Sequence, residues 1–237
     1  MKRKIGFSQG VLFKLYDVNK DANIKLLKDC GSNAIEANCH HANEAVFLPL
    51  LLGHIESHNF DYISLHAPVD VRYGSNTETR ELLEKLYNFY LLSDAEIIVV
   101  HPDLVDDWSV FEDFKMKWAI ENMDDRKKNF KNQVDLENFF EEHSDWYLVL
   151  DVGHVNSNDK SMLLAKELIN AFGSRIAEIH LSGYEKFHDP LHRTKQLEII
   201  ECCKDLFVPI IIESVFELSD GLEGVKKEFD YILENLN

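Results

Sequence analysis

The sequence predicts an α/β protein, a single (β/α)8 TIM barrel built from eight parallel strands and filling residues 1–237 as one domain. Three observations predict it. Eight short apolar runs alternate with amphipathic stretches along 237 residues, with no long linker or low-complexity region between them. Six of the runs close on an acid or an imidazole: YISLH, AEIIVVH, KWAIE, WYLVLD, IAEIH and VPIIIE end at His66, His101, Glu121, Asp151, His180 and Glu213. No glycine-rich phosphate loop follows the first strand, which removes the usual support for an open doubly wound sheet. Right-handed crossovers between parallel strands close naturally into a barrel, and the loops after its strands gather at one rim.

The elements follow in order. KIGF, residues 4–7, is the first strand, followed by a loop containing Gly10 and an amphipathic stretch to Asp29. Gly31 and Asn33 stop that helix before the strand AIEA, 34–37. A helix over 44–57 leads to YISLH. Residues 78–92 form a helix because Leu82, Leu83, Leu86, Phe89 and Tyr90 recur at three- and four-residue intervals. AEIIVVH is followed by a short helix over 108–114, and KWAIE by the basic loop NMDDRKK. A helix over 134–142 places Leu136, Phe139 and Phe140 on one side. WYLVLD is almost continuously apolar, as expected of a strand buried on both faces. Helices over 162–172, 196–207 and 222–236 alternate with the last two strands, IAEIH and VPIIIE. Trp118 alternates with Ile120 rather than Glu121, which places it between strands and helices.

Composition narrows the partners. The 42 acidic residues outnumber the 25 basic ones, a net charge of −17. A protein that grips a phosphate backbone presents basic surface, so this balance argues against nonspecific nucleic-acid binding. No apolar run reaches the roughly 18 residues of a membrane span. The start, MKRKIGFSQG, lacks the apolar core of a signal peptide. Cys30, Cys39, Cys202 and Cys203 form no CxxC pair and read as free thiols. A cytoplasmic protein with no membrane partner is the expectation.

A single polar residue at a strand end is usually a cap or a hydrogen-bonded group. Six in series are different, because buried carboxylates and imidazoles converging on one rim need a compensating cation. The donor set fits a divalent ion: zinc, manganese, magnesium or cobalt. Asp151 and His154 form D-V-G-H, a ligand at the strand end with an imidazole just beyond it.

The motifs SLHAP (64–68), VVHP (99–102), IEN (120–122), DVGH (151–154), EIHLS (178–182) and IIES (211–214) resemble the xylose isomerase-like barrel superfamily, over nearly the whole chain. That superfamily includes sugar isomerases and epimerases and endonuclease IV. The resemblance implies a metal tetrad of Glu121, Asp151, His180 and Glu213. Glu121 and Glu213 would also move a proton off and back onto carbon through an enediolate, with His154 contacting a substrate oxygen. In the endonuclease IV branch His66 and His101 hold a second ion, and Glu121 bridges two. That branch completes a third position with the DxxH histidine and an Asp-x-His element. Here His154 and His188 match, but Lys186 stands where the Asp would be, and an ammonium group cannot ligate a cation. Asp189 is the alternative third ligand. In the epimerase branch a basic residue near Lys186 contacts substrate.

Four weaker readings remain. Glu36 ends the second strand and either lines the pocket or forms a salt bridge. Arg126, Lys127 and Lys128 are placed to meet a substrate phosphate, although a solvated charge run is the commoner meaning. His40 and His41 are expected at the surface, and His192 at a helix start. The leading expectation is a divalent-metal-dependent isomerase or epimerase of a small sugar, sugar phosphate or related ketone. The alternatives are a metal-dependent phosphodiesterase cutting abasic DNA, and a noncatalytic metal- or sugar-binding barrel. The resemblance also implies a homodimer.

Overall fold

A computed structural model of the chain describes residues 3–15 and 21–236. The part of the first amphipathic stretch over 16–20 lies outside the described residues, as do Met1 and Lys2. Eight strands close into a barrel in sequence order: β1 Ile5–Ser8, β2 Ala34–Asn38, β3 Tyr62–His66, β4 Ile97–Val100, β5 Trp118–Glu121, β6 Tyr147–Asp151, β7 Ile176–Leu181 and β8 Ile210–Ile212. Every neighbouring pair is parallel, and β8 returns to β1 with Gly6 opposite Ile211. The helices are α1 Asp21–Asp29, α2 Leu48–His58, α3 Thr77–Ser93, α4 Gln133–Glu142, α5 Val152–Asn158, α6 Leu163–Phe172, α7 Leu191–Thr194, α8 Leu197–Glu201 and α9 Gly221–Leu236. No described helix is long and apolar enough to cross a membrane.

Strand alternation decides which residues reach the barrel axis. Ile35 and Ala37, Ile98 and Val100, Trp118 and Ile120, and Leu148 and Leu150 pack into the large core between strands and helices. Their alternates Val99, Ala119 and Val149 form a separate small cluster inside the barrel. The same parity turns Glu36, His66, Glu121, Asp151 and His180 inward. Trp118 goes outward as expected, stacked on Trp146 at 5.7 Å and edge-on to Phe111 at 4.8 Å. Cys39 and Cys203 are buried, Cys30 and Cys202 partly so, and all four are free thiols.

Three helices differ from the expected spans. The 44–57 segment splits into a 3-10 stretch, Ala42–Phe47, and α2, because Pro49 lacks an N–H and favours a helix start. The 196–207 helix ends early, at Glu201. Both thiols that follow, Cys202 and Cys203, donate to the Ile199 carbonyl, at 3.1 and 3.2 Å. The backbone there tightens into i→i+3 turns, with Cys203 N–H donating to Ile200 O. The segment over 108–114 is likewise a shorter 3-10 turn, Trp108–Phe111.

Gly6 fixes how closely β1 meets β2. A Cβ there would lie 1.7 Å from the carbonyl oxygen of Ala34, so the strand pair must part to admit any side chain. Gly6→Ala is therefore expected to destabilise the fold by at least the ~1–3 kcal/mol of ordinary overpacking. Urea unfolding measures it, and an unchanged midpoint would show that the two strands can separate freely.

Candidate metal centre at the strand ends

The barrel delivers its polar strand ends to one rim. His66 closes β3, Glu121 closes β5 and Asp151 closes β6, while His101 and Glu213 directly follow β4 and β8. Glu121 is the hub. Its Oε2 lies 3.3 Å from His66 Nε2, 3.2 Å from His101 Nε2 and 3.6 Å from His180 Nδ1, and its Oε1 lies 3.1 Å from His154 Nδ1. Glu213 Oε2 reaches the same His180 Nδ1 at 3.3 Å. Asp151 caps α5, with Oδ1 accepting from the His154 amide at 2.6 Å, while Oδ2 lies 3.6 Å from His154 Nε2. His154 thus sits in the first turn of a short helix, its ring folded back over the strand end.

Three sets of donors result, each with ligand atoms within 4.8 Å of one another: His66, His101 and Glu121; Glu121, Asp151, His180 and Glu213; and Asp151, His154 and His188. Glu121 belongs to two sets and Asp151 to two. Most of the imidazoles have one nitrogen occupied from outside the centre. His66 Nδ1 meets Ala67 O, His154 Nδ1 meets Asn122 O and His188 Nδ1 meets Ser182 Oγ, each at 2.9 Å, and His180 Nε2 meets Glu178 Oε1 at 3.0 Å. Such outer partners fix the tautomer and aim the free nitrogen, as they do around metal ligands. Asp151 Oδ2 and His180 Nδ1 are buried and find no hydrogen bond among the described residues. Orphaned donor atoms turned toward a common centre fit a divalent cation.

The electrostatics agree. Burial would lower both His66 and His154. Glu121 and Glu36 nonetheless hold His66 up at about 9, and Asp151 and Glu121 hold His154 up at about 10. Burial pushes His188 down to about 4 and raises Asp151 to about 7. Burial would raise Glu121 too, but His101 and His180 hold it well below the usual carboxylate range. Despite burial, Glu213, Glu36 and Glu121 likewise raise His180 well above the ordinary imidazole value, so three rings favour a proton that a metal must displace. Zinc affinity is expected to rise between pH 6 and 9, by roughly tenfold per pH unit for each proton displaced. Competition titration with a chromogenic chelator measures it, and a flat profile would mean these rings are neutral before the ion arrives.

The remaining sequence-derived candidates are distributed differently. Glu36 is fully buried and faces His180 Nε2 at 3.2 Å, beneath the centre rather than in the cleft. Lys186 is exposed on the cleft rim. Asp189 is turned away: its Oδ2 accepts the amides of Glu185, Lys186 and Phe187 at 3.2, 2.7 and 3.0 Å. The carboxylate beside His154 and His188 is Asp151 instead. Within the basic loop, Lys127 pairs with Asp103 at 2.6 Å, and Arg126 pairs with Asp124 and lies over the Phe187 ring at 4.5 Å. His40 and His41 are exposed at the cleft mouth, and His192 pairs with Glu228 at 2.8 Å in the first turn of α7. The cleft over the centre has a volume of about 740 Å³.

One position had no role assigned from the sequence. Asn122 clamps β5 to β6, its side chain bonding the Asp151 carbonyl at 2.9 Å and the Asp151 amide at 2.8 Å. Its only signal was adjacency to Glu121. His188 has φ 46°, a left-handed conformation that is uncommon for a side chain of this size and concentrates at binding sites.

No family model and no curated protein matches the chain. Solved structures do. The 3-keto-D-glucoside 4-epimerase of E. coli superposes with a TM-score of 0.69 at 13% identity, covering 98% of this chain and 100% of its own. The D-allulose 3-epimerase of Methylomonas sp. gives 0.70 at 16%, covering 99% of each chain. Endonuclease IV of Thermus thermophilus gives 0.70 at 15%, covering 98% of this chain and 99% of its own. Identities this low carry the architecture and leave the chemistry to the residues. The chain has the closed eight-stranded barrel fold that these sugar epimerases and endonuclease IV share.

Proposed function

We propose that the protein is a divalent-metal-dependent isomerase or epimerase of a small sugar, sugar phosphate or related ketone. The observation that carries the reading is the convergence of Glu121, Asp151, His180 and Glu213 at the base of a cleft sized for a small molecule. When bound, a divalent cation there would polarise a substrate carbonyl and acidify the neighbouring C–H. Glu121, Asp151, His180 and Glu213 are the residues that would hold it. Glu213, with 14% of its side chain accessible, accepts the proton from carbon and returns it. Glu121 lines the cleft as well but is 1% accessible and ringed by imidazoles, so it acts mainly as a fixed carboxylate. His154, the ring nearest Asp151, and Lys186 at the rim orient substrate oxygens.

A second reading rests on a specific observation. Donor sets on either side of the tetrad, sharing Glu121 and Asp151 with it, suit a polynuclear centre that hydrolyses phosphate esters, as the resemblance to the endonuclease IV branch implies. The third set, however, has no carboxylate of its own, and a body with net charge −17 is poorly suited to duplex DNA. One experiment separates the two. The manganese- and zinc-loaded protein is incubated in D2O with a panel of ketoses, aldoses and their phosphates, and in parallel with abasic duplex DNA at low salt. Metal-dependent loss of a substrate C–H signal supports the isomerase reading. Strand incision without such exchange replaces it with the hydrolytic one, and binding without either would leave a noncatalytic barrel.

A further inference from the structure

Directly beneath His180 the barrel interior is polar where a hydrophobic layer would be expected. Glu36 of β2 and Glu178 of β7 are both fully buried, and both face His180 Nε2, at 3.2 and 3.0 Å. One ring N–H cannot serve both. Glu178 Oε1 takes the bond, leaving both Glu36 oxygens and Glu178 Oε2 without a hydrogen bond among the described residues. Two further buried oxygens are also unpartnered, Tyr62 Oη and Ser64 Oγ. Strand parity places these hydroxyls in the same chamber. Leu65 packs outward, so Tyr62 and Ser64 turn inward, and Ser64 pairs in register with Glu36. The Tyr62 phenol lies close enough to Glu178 and Glu36 to feel both carboxylates.

Five unpartnered oxygens from four fully or almost fully buried side chains, two of them carboxylates, are not a stable interior by themselves. We propose that the barrel interior holds a cation of its own, separate from the strand-end centre, between the carboxylates of Glu36 and Glu178 with Ser64 and Tyr62 hydroxyls completing its shell. The donors are oxygens, which selects a hard divalent ion such as Mg²⁺, Mn²⁺ or Ca²⁺ over a thiolate- or imidazole-seeking one. The two carboxylates and His180 already have donor atoms within 4.8 Å of one another, a spacing that one ion can span. His180 then lies between two cation sites, Nδ1 toward the tetrad and Nε2–H held by the interior carboxylate. The interior ion neutralises the charge that its two carboxylates bring into the barrel.

Mn²⁺ is the probe. Crystals of the full chain grown in MnCl2 are expected to show an anomalous peak inside the barrel, about 2.1–2.4 Å from oxygens of Glu36 and Glu178, besides any peak at the strand ends. In solution, the E36Q/E178Q variant is expected to bind one fewer Mn²⁺ per chain by elemental analysis after gel filtration. Peaks confined to the strand ends, or a water or a short carboxyl–carboxylate contact at the interior position, would overturn the proposal. So would a folded double variant with undiminished Mn²⁺. If that variant does not fold, the wild-type anomalous map still decides. Occupancy rather than turnover is measured, so the result is independent of which reaction the cleft carries out.

Discussion

Glu213→Gln is expected to cut metal-dependent exchange of the substrate C–H by about 10²–10⁴-fold, the usual contribution of a positioned acid–base group. The amide keeps the size of the side chain and one oxygen for a cation but cannot accept a proton from carbon. Glu213 is the tetrad member most open to the cleft, because β8 ends at Ile212 and delivers it to the rim beside His180 rather than beneath it. His101→Ala provides the contrast. His101 belongs only to the first donor set and touches the tetrad through Glu121. For an isomerase its loss should change exchange by less than about tenfold. A hydrolase that depends on the outer sets would lose incision with His101→Ala and show no exchange to lose with Glu213→Gln. Proton NMR in D2O measures the first activity and a gel assay the second. Exchange at the wild-type rate in Glu213→Gln would remove Glu213 from proton transfer.

The barrel was legible because its signal repeats. Each strand is a short apolar run, and inward residues are fixed by alternation, so His66, Glu121, Asp151 and His180 could be assigned to one rim without knowing any loop. Loop residues follow no such rule. Asp189 stands one residue beyond His188 in sequence, yet three backbone amides of its own turn capture its carboxylate. Asp151 meets His154 and His188 because α5 starts immediately at the strand end, and the cap geometry folds the ring back. No sequence pattern announces that direction. Glu36 and Glu178 show a subtler gap: parity puts both inside the barrel, but only depth distinguishes a residue that lines the cleft from one that supports it. Helix ends were misplaced where side chains competed for the backbone, as at Cys202 and Cys203.

Metal-free protein carrying Glu121→Ala is expected to lose about 3–5 kcal/mol of stability, the cost of breaking a buried ion pair by deleting one partner. Glu121 is the common acceptor of His66, His101 and His154, and its side chain is 1% accessible, so no water replaces it readily. The loss has a pH signature. The folded values of His66 and His154, about 9 and about 10, lie above the ordinary 6.5. A raised folded value contributes stability that is full below the unfolded value and is lost as pH rises through the folded one. The gap between wild type and variant should therefore be largest near pH 6, narrow progressively above about pH 6.5 and level off between pH 9 and 10, where the rings have given up their protons. Urea unfolding in the presence of a strong chelator measures both. A gap below about 1 kcal/mol at pH 6 would mean that the imidazoles stay neutral without metal and that Glu121 binds them only weakly. A gap independent of pH would assign the loss to the cavity left by the side chain rather than to its charge. Wild-type protein saturated with zinc should gain stability over the chelated form, whereas Glu121→Ala, lacking the carboxylate common to two donor sets, should gain much less.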